Sequence, residues 1–79
     1  MLSGRWCRAS RAVLGWTQDD LAARARVSKG TIVAFEKEDR FPTVCTIRQV
    51  QQTFEDSGIA YQVVGAVVVG MQIRIRTWA

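Results

Sequence analysis

A chain of 79 residues with a net charge of +4 and no histidine makes one small domain with a limited core. Without histidine, and with no carboxylate pair in a recognisable cleft motif, no acid–base or nucleophilic constellation can be assembled, so an enzyme is not expected; two distant cysteines with no histidine to help them suggest no metal, and with no second domain to sense one, no cofactor or small-molecule ligand is expected. Cys7 and Cys45 read as small reduced hydrophobes on inward helix positions, no apolar run suited to a signal peptide follows Met1 to Arg5, and the apolar stretch 63–69 is too short to cross a bilayer, so a cytoplasmic protein with no membrane partner is expected.

The first helix is predicted to start after Ser3 and end near Leu14, with Gly15 as its stop and Cys7, Ser10, Arg11 and Leu14 on its inner face. A second helix opens at Thr17, whose hydroxyl can cap a free backbone N–H while Asp19 and Asp20 sit at the positive end of the helix dipole. Leu21, Ala22 and Ala25 follow at helical spacing, and the small Ala22 lets a neighbouring helix cross closely. Ser28 caps a third helix with Thr31, Ile32 and Phe35 turned inward. Lys29, Gly30, Val33, Ala34 and Lys37 are left on its outer face. Trp6 and Trp16 are read as packing residues, Trp16 over the helix junction.

The loop from Lys37 to Phe41 leads to a fourth helix capped by Thr43, on which Val44, Ile47, Val50, Gln51 and Phe54 recur at helical spacing up to Ser57 and Gly58. Arg40 in that loop either lies beside a phosphate or is simply solvated. After Gly58 the period changes to two. Ile59, Tyr61 and Val63 alternate with polar or small residues, as do Met71, Ile73 and Ile75, which predicts two strands joined by Val64 to Gly70. Such a pair is marginal alone and has open edges, so its apolar face calls for a partner. The joining segment, with Val67 to Val69, reads as strand, as buried contact or as an aggregation-prone patch.

A helix, a tight turn and a second helix with a free outer face, over Thr17 to Glu36, form the layout of a helix-turn-helix reader of duplex DNA. Charge supports this reading, because residues 1–30 carry six Arg or Lys against two acids and so provide a field suited to a polyanion. Leu14-Gly15-Trp16-Thr17-Gln18-Asp19-Asp20-Leu21-Ala22, followed by Val27-Ser28-Lys29-Gly30-Thr31-Ile32 and Phe35-Glu36, resembles the Cro/CI/Xre family of bacterial and phage DNA-binding proteins. The matching stretch runs from Cys7 to near Phe54. One departure is Arg26, which stands at a turn position where the family usually has glycine in a left-handed backbone.

The resemblance implies an α+β, mainly α fold: a four- to five-helix lambda-repressor-like bundle over 1–58 and a C-terminal pair of β-strands over 59–79 used for dimerisation, together one compact domain. It implies that Gln18 grips a phosphate, and that Lys29 reaches guanine while Gly30 allows close approach and Val33 and Ala34 meet thymine methyls. Arg26, Ser28, Thr31, Lys37 and Arg40 complete the expected DNA-binding set. Arg11 and Glu36 are expected to pair and orient the third helix rather than read sequence. The expected subunit contact comprises Ile59, Tyr61, Val63, Met71, Ile73 and Ile75, and Trp78 either packs across it or frays. The expected function is that of a homodimeric, sequence-specific transcription regulator, a repressor or repressor/activator switch on a twofold-symmetric DNA operator, of the kind mobile elements encode. The alternative is a protein-interaction module such as an antitoxin or antiactivator, with the Val67 to Val69 segment as its grip.

Overall fold

Every helix of this protein begins at a hydroxyl. The structure, a computed structural model, describes residues 1–74. In it Ser3 caps α1 (Gly4–Leu14), Thr17 caps α2 (Gln18–Ala25), Ser28 caps α3 (Lys29–Lys37) and Thr43 caps α4 (Val44–Asp56). Each cap side chain accepts from a backbone N–H three residues on, which satisfies a donor the first turn would otherwise leave free. The α2 cap is reciprocal: the Asp20 N–H donates to Thr17 Oγ1 at 3.0 Å and the Thr17 N–H donates to Asp20 Oδ2 at 2.9 Å. The hydrogen bond from the Thr17 backbone N–H is the main cause that holds the Asp20 carboxyl below its ordinary range. Gly15, at φ 69, ends α1 in the left-handed conformation that glycine accepts most readily.

The inward positions of the four helices meet in one core. Cys7, Leu21, Ile32, Phe35, Val50 and Phe54 are its most deeply buried helical apolar side chains. Ala22 and Ala25 provide the low surface on which α3 approaches α2, and α1 comes so close to the end of α3 that a Cβ at Gly4 would collide with the Phe35 carbonyl oxygen. The Gln49 side-chain amide donates to the Ala25 carbonyl and so ties α4 to the last turn of α2. Trp16 stacks on Phe54 with ring centroids 5.7 Å apart, and the Arg24 guanidinium lies over the Trp16 ring, 4.5 Å from its centroid. Trp16 is thus the packing residue expected of it.

Cys45 departs from the expectation: it is exposed, whereas Cys7 is buried. The buried residues of α4 are Ile47, Val50 and Phe54, and a position two residues before Ile47 lies nearly half a helical turn from that stripe. Glu36, 3% exposed, is a buried acid and is paired with Arg11. Val33 and Ala34 are half-buried on the flank of α3.

Two strands, β1 (Ile59–Val64) and β2 (Val67–Ile73), form an antiparallel hairpin. The connection is only Gly65-Ala66, so Val67 to Val69 belong to the strand and not to a long joining segment as expected. Gly65 takes φ 63 at the first corner of this two-residue turn, where a backbone that matches strand twist needs positive φ. Tyr61 pairs with Met71 and Val63 with Val68, so β2 carries one residue more than β1 in that interval and a bulge falls at Gln62/Val63. The bulge resets the alternation and turns Val68, 4% exposed, to the same side as Met71.

That side faces the chain's own bundle. Ile59 is 2% exposed within the core, Tyr61 and Met71 pack against it, and the Tyr61 hydroxyl meets Ser10 Oγ at 2.6 Å. Burial raises the Tyr61 hydroxyl well above its usual pKa, although the Ser10 hydrogen bond acts the other way. The bundle therefore covers the root of the hairpin, so part of the apolar face expected to call for a partner finds one within the chain. Cover fades toward the tip, where Val63, Val64, Val67 and Val69 are exposed.

Candidate nucleic-acid interface

The outer face of α3 takes its direction from a polar lock behind it. Arg11 on α1 grips Glu36 on α3 with two bonds, Nε to Oε2 at 2.6 Å and Nη2 to Oε1 at 2.7 Å. Its remaining nitrogen, Nη1, donates to the Trp16 carbonyl at 3.0 Å. Gln18 Nε2 donates to Glu36 Oε1 at 3.1 Å and the Cys7 thiol donates to Oε2 at 3.2 Å. Burial by itself would raise the Glu36 carboxyl, but the hydrogen bonds from Arg11, Cys7 and Gln18 outweigh it and hold the group below its usual range. Burial, and then the hydrogen bond to Glu36, push the Cys7 thiol far up, so it stays a neutral donor and not a nucleophile. The bidentate geometry fixes the angle of α3 against α1, as expected of this pair. The half-buried Gln18 thus joins α2 to the lock through its amide nitrogen.

Between α2 and α3 the chain turns at Arg26, with φ 58 and ψ 42. The left-handed backbone is kept although the residue is arginine, so the turn carries strain that glycine would not. The Arg26 side chain is exposed. Downstream, Ile32 and Phe35 anchor α3 in the core, and Lys29, Gly30 and Lys37 are exposed. Lys29 Nζ lies 3.3 Å from Asp19 Oδ2 in a pair whose side chains are 54% and 71% exposed. A solvated pair of this kind is weak and readily exchanged for another anion. Thr31 Oγ1 and Ser28 Oγ are 2.7 Å apart, within the cap.

Gly30 has no packing reason to be glycine. A Cβ there would approach only Ser28 Oγ, at 4.0 Å. Glycine inside a helix costs up to about 1 kcal/mol relative to alanine, so this position gives up stability to leave the backbone bare.

Facing α3 across a groove of about 370 Å³ is the loop before α4. Ser28, Gly30, Thr31 and Ala34 line one wall, and Arg40, Phe41 and Pro42 the other. The structure thus brings five of the expected DNA-binding residues together around one concavity, with Lys29 beside them in sequence on the same helix turn. Phe41, 78% exposed, was not among the expected site residues. The available signal was an aromatic directly before proline and directly after the charged run Glu38-Asp39-Arg40.

Of the residues expected at a subunit contact, Ile59 is taken into the core, Tyr61 and Met71 are half-buried against it, and Val63 and Ile73 are exposed. Ile75 and Trp78 lie outside the described residues. Among the described residues no helix is long and apolar enough to cross a membrane. No protein-family model matches the chain, and no curated protein matches it.

Proposed function

We propose that the protein is a sequence-specific duplex-DNA-binding transcription regulator of helix-turn-helix type that acts as a homodimer on a twofold-symmetric operator. The observation that carries this reading is the α3 face. A helix anchored by Ile32, Phe35 and the Arg11–Glu36 pair exposes Lys29, a sterically unneeded Gly30 and Lys37, with Arg26 and Arg40 at its margins. Lysine suits the acceptor atoms of guanine, a bare glycine lets the backbone come close to a groove wall, and the arginines suit phosphates. The net charge of +4 supports the same reading.

The exposed valines at the hairpin tip support self-association, because Val64 and Val67 pair on the side of the sheet away from the bundle and leave an apolar patch in water. The same patch favours the second reading, a protein-interaction module, in which it grips a different protein. Binding of the purified chain to duplex DNA at several salt concentrations separates the two. The regulator binds with an affinity that falls steeply with salt, and sequencing the genomic fragments it retains yields a palindromic site. A chain that ignores duplex DNA at low salt is not a DNA-binding regulator.

A further inference from the structure

We propose that Phe41, with Pro42 beside it, is an apolar seat for one deoxyribose of the duplex backbone, next to the phosphate that Arg40 meets. The inference rests on the DNA-binding reading and adds to it a contact made by an apolar side chain. Phe41 is the most exposed large hydrophobic among the described residues, at 78%. Its ring therefore contributes nothing to the core, and the sequence keeps it in water at a place where a polar residue would serve the fold as well.

Pro42 limits the backbone of the residue before it to extended conformations, and Glu38 ends α3 at φ 60, so the ring is presented from a short, stiff loop. It stands on the wall of the groove opposite Gly30, Thr31 and Ala34, beside Arg40. Arg40 makes no salt bridge among the described residues.

A nucleic-acid backbone alternates anionic phosphate with a sugar whose ring edge is apolar. The loop wall repeats that alternation, guanidinium and then ring. Charge complementarity selects this occupant over an apolar protein segment: of the residues that line the groove Arg40 alone is charged, Glu38 and Asp39 are not among them, and the valine patch lies on the hairpin, a different element. Stacking on a base would require that base to leave the duplex, whereas a sugar is already at the surface.

The test is fluorescence anisotropy with a labelled mixed-sequence DNA duplex across a range of salt concentrations, since a sugar contact does not depend on sequence. Phe41→Ala is expected to weaken binding about fivefold to tenfold, the effect of one ring edge returned to water. The salt dependence should keep the parent's slope, because no counterion contact is lost. Arg40→Ala is expected to lower that slope by roughly one. Phe41→Leu should retain most of the affinity, and the melting temperature of Phe41→Ala should equal the parent's. Unchanged affinity in Phe41→Ala overturns the seat, leaves the ring to a protein partner and lets the DNA reading stand. A reduced slope in Phe41→Ala also overturns it, since the ring would then act by placing Arg40. If the parent itself fails to bind the duplex, the DNA reading falls and the seat with it.

Discussion

Arg26 holds a left-handed backbone that glycine tolerates better, and Gly30 holds a helical one that alanine would favour. Each substitution toward the local preference, Arg26→Gly and Gly30→Ala, is expected to raise stability by up to about 1 kcal/mol. Both should weaken duplex binding, the first through a lost cation and the second through a methyl between helix and groove wall. Melting curves and DNA titrations on the same samples check this; a variant that gains both stability and affinity would show that its residue has no part in the interface. The Arg11–Glu36 pair works in the opposite sense. Arg11→Ala leaves a carboxylate that is 3% exposed without its main partner, at a cost of about 3 kcal/mol. Because the folded protein holds the Glu36 pKa below the ordinary 4.5, this group's contribution to stability is present above pH 4.5 and lost as the pH falls through the lowered value. Urea unfolding at pH 7 and at pH 3 should therefore show a smaller deficit for Arg11→Ala in acid. A deficit equal at both pH values would remove the charge-pair explanation.

The hairpin is the element whose two faces have different tasks. Its root, Ile59 and Tyr61, completes the core and reaches Ser10 on α1, so truncation after Gly58 opens the bundle and cannot report on association alone. The tip offers the cleaner test. Val64 and Val67 are 68% and 62% exposed and paired across the turn. Replacing both with threonine should leave the circular dichroism spectrum unchanged, since neither packs on the bundle and threonine suits a strand, while the apolar patch on which two tips would meet is lost. Sedimentation is expected to show a dimer for the parent and a monomer for the double variant. A double variant that stays dimeric would move the contact elsewhere.

Across the whole molecule, recognition depends on a rigid body presenting α3 twice. In a dimer the two α3 helices should stand roughly 34 Å apart, so the half-sites should be centred about one helical turn from each other. Among the described residues Lys29 has only a solvated partner, Asp19, so Lys29→Ala is expected to be nearly neutral for folding. On the selected operator it should cost roughly 1 to 3 kcal/mol, with a much smaller loss on random DNA. Competition binding measures both; equal losses on operator and random DNA would sink the recognition role of Lys29. Gln18, held by Glu36, should affect binding chiefly by fixing α2 against α3, so Gln18→Ala should leave the salt slope unchanged.

Helix ends and the change of period after Gly58 were legible in the sequence because they are local. Ser3, Thr17, Ser28 and Thr43 cap bonds that close within three residues, and inward Leu21, Ile32, Val50 and Phe54 follow the 3.6 period without reference to any distant partner. Arg11 and Glu36 were legible only as a pair implied by resemblance, since charge alone would place both in water. The features decided by tertiary structure are those in which residues far apart in the chain compete for one space. Gly4 must be bare because the Phe35 carbonyl lies against it, and Gln18 turns to Glu36 because that carboxylate is buried beside it. Cys45 is exposed because the core selects the Ile47 stripe, and the bulge that turns Val68 inward arises only where β2 meets β1. Phe41 belongs with these, since its exposure and its place on the groove wall depend on where α3 leaves room. Sequence by itself determined where the helices begin and end and where their main apolar stripes lie, because backbone hydrogen bonds and periodic burial are short-range; the packed chain decided the strand bounds, the bulge and which faces are left open, because pairing and burial are properties of the whole assembly of elements.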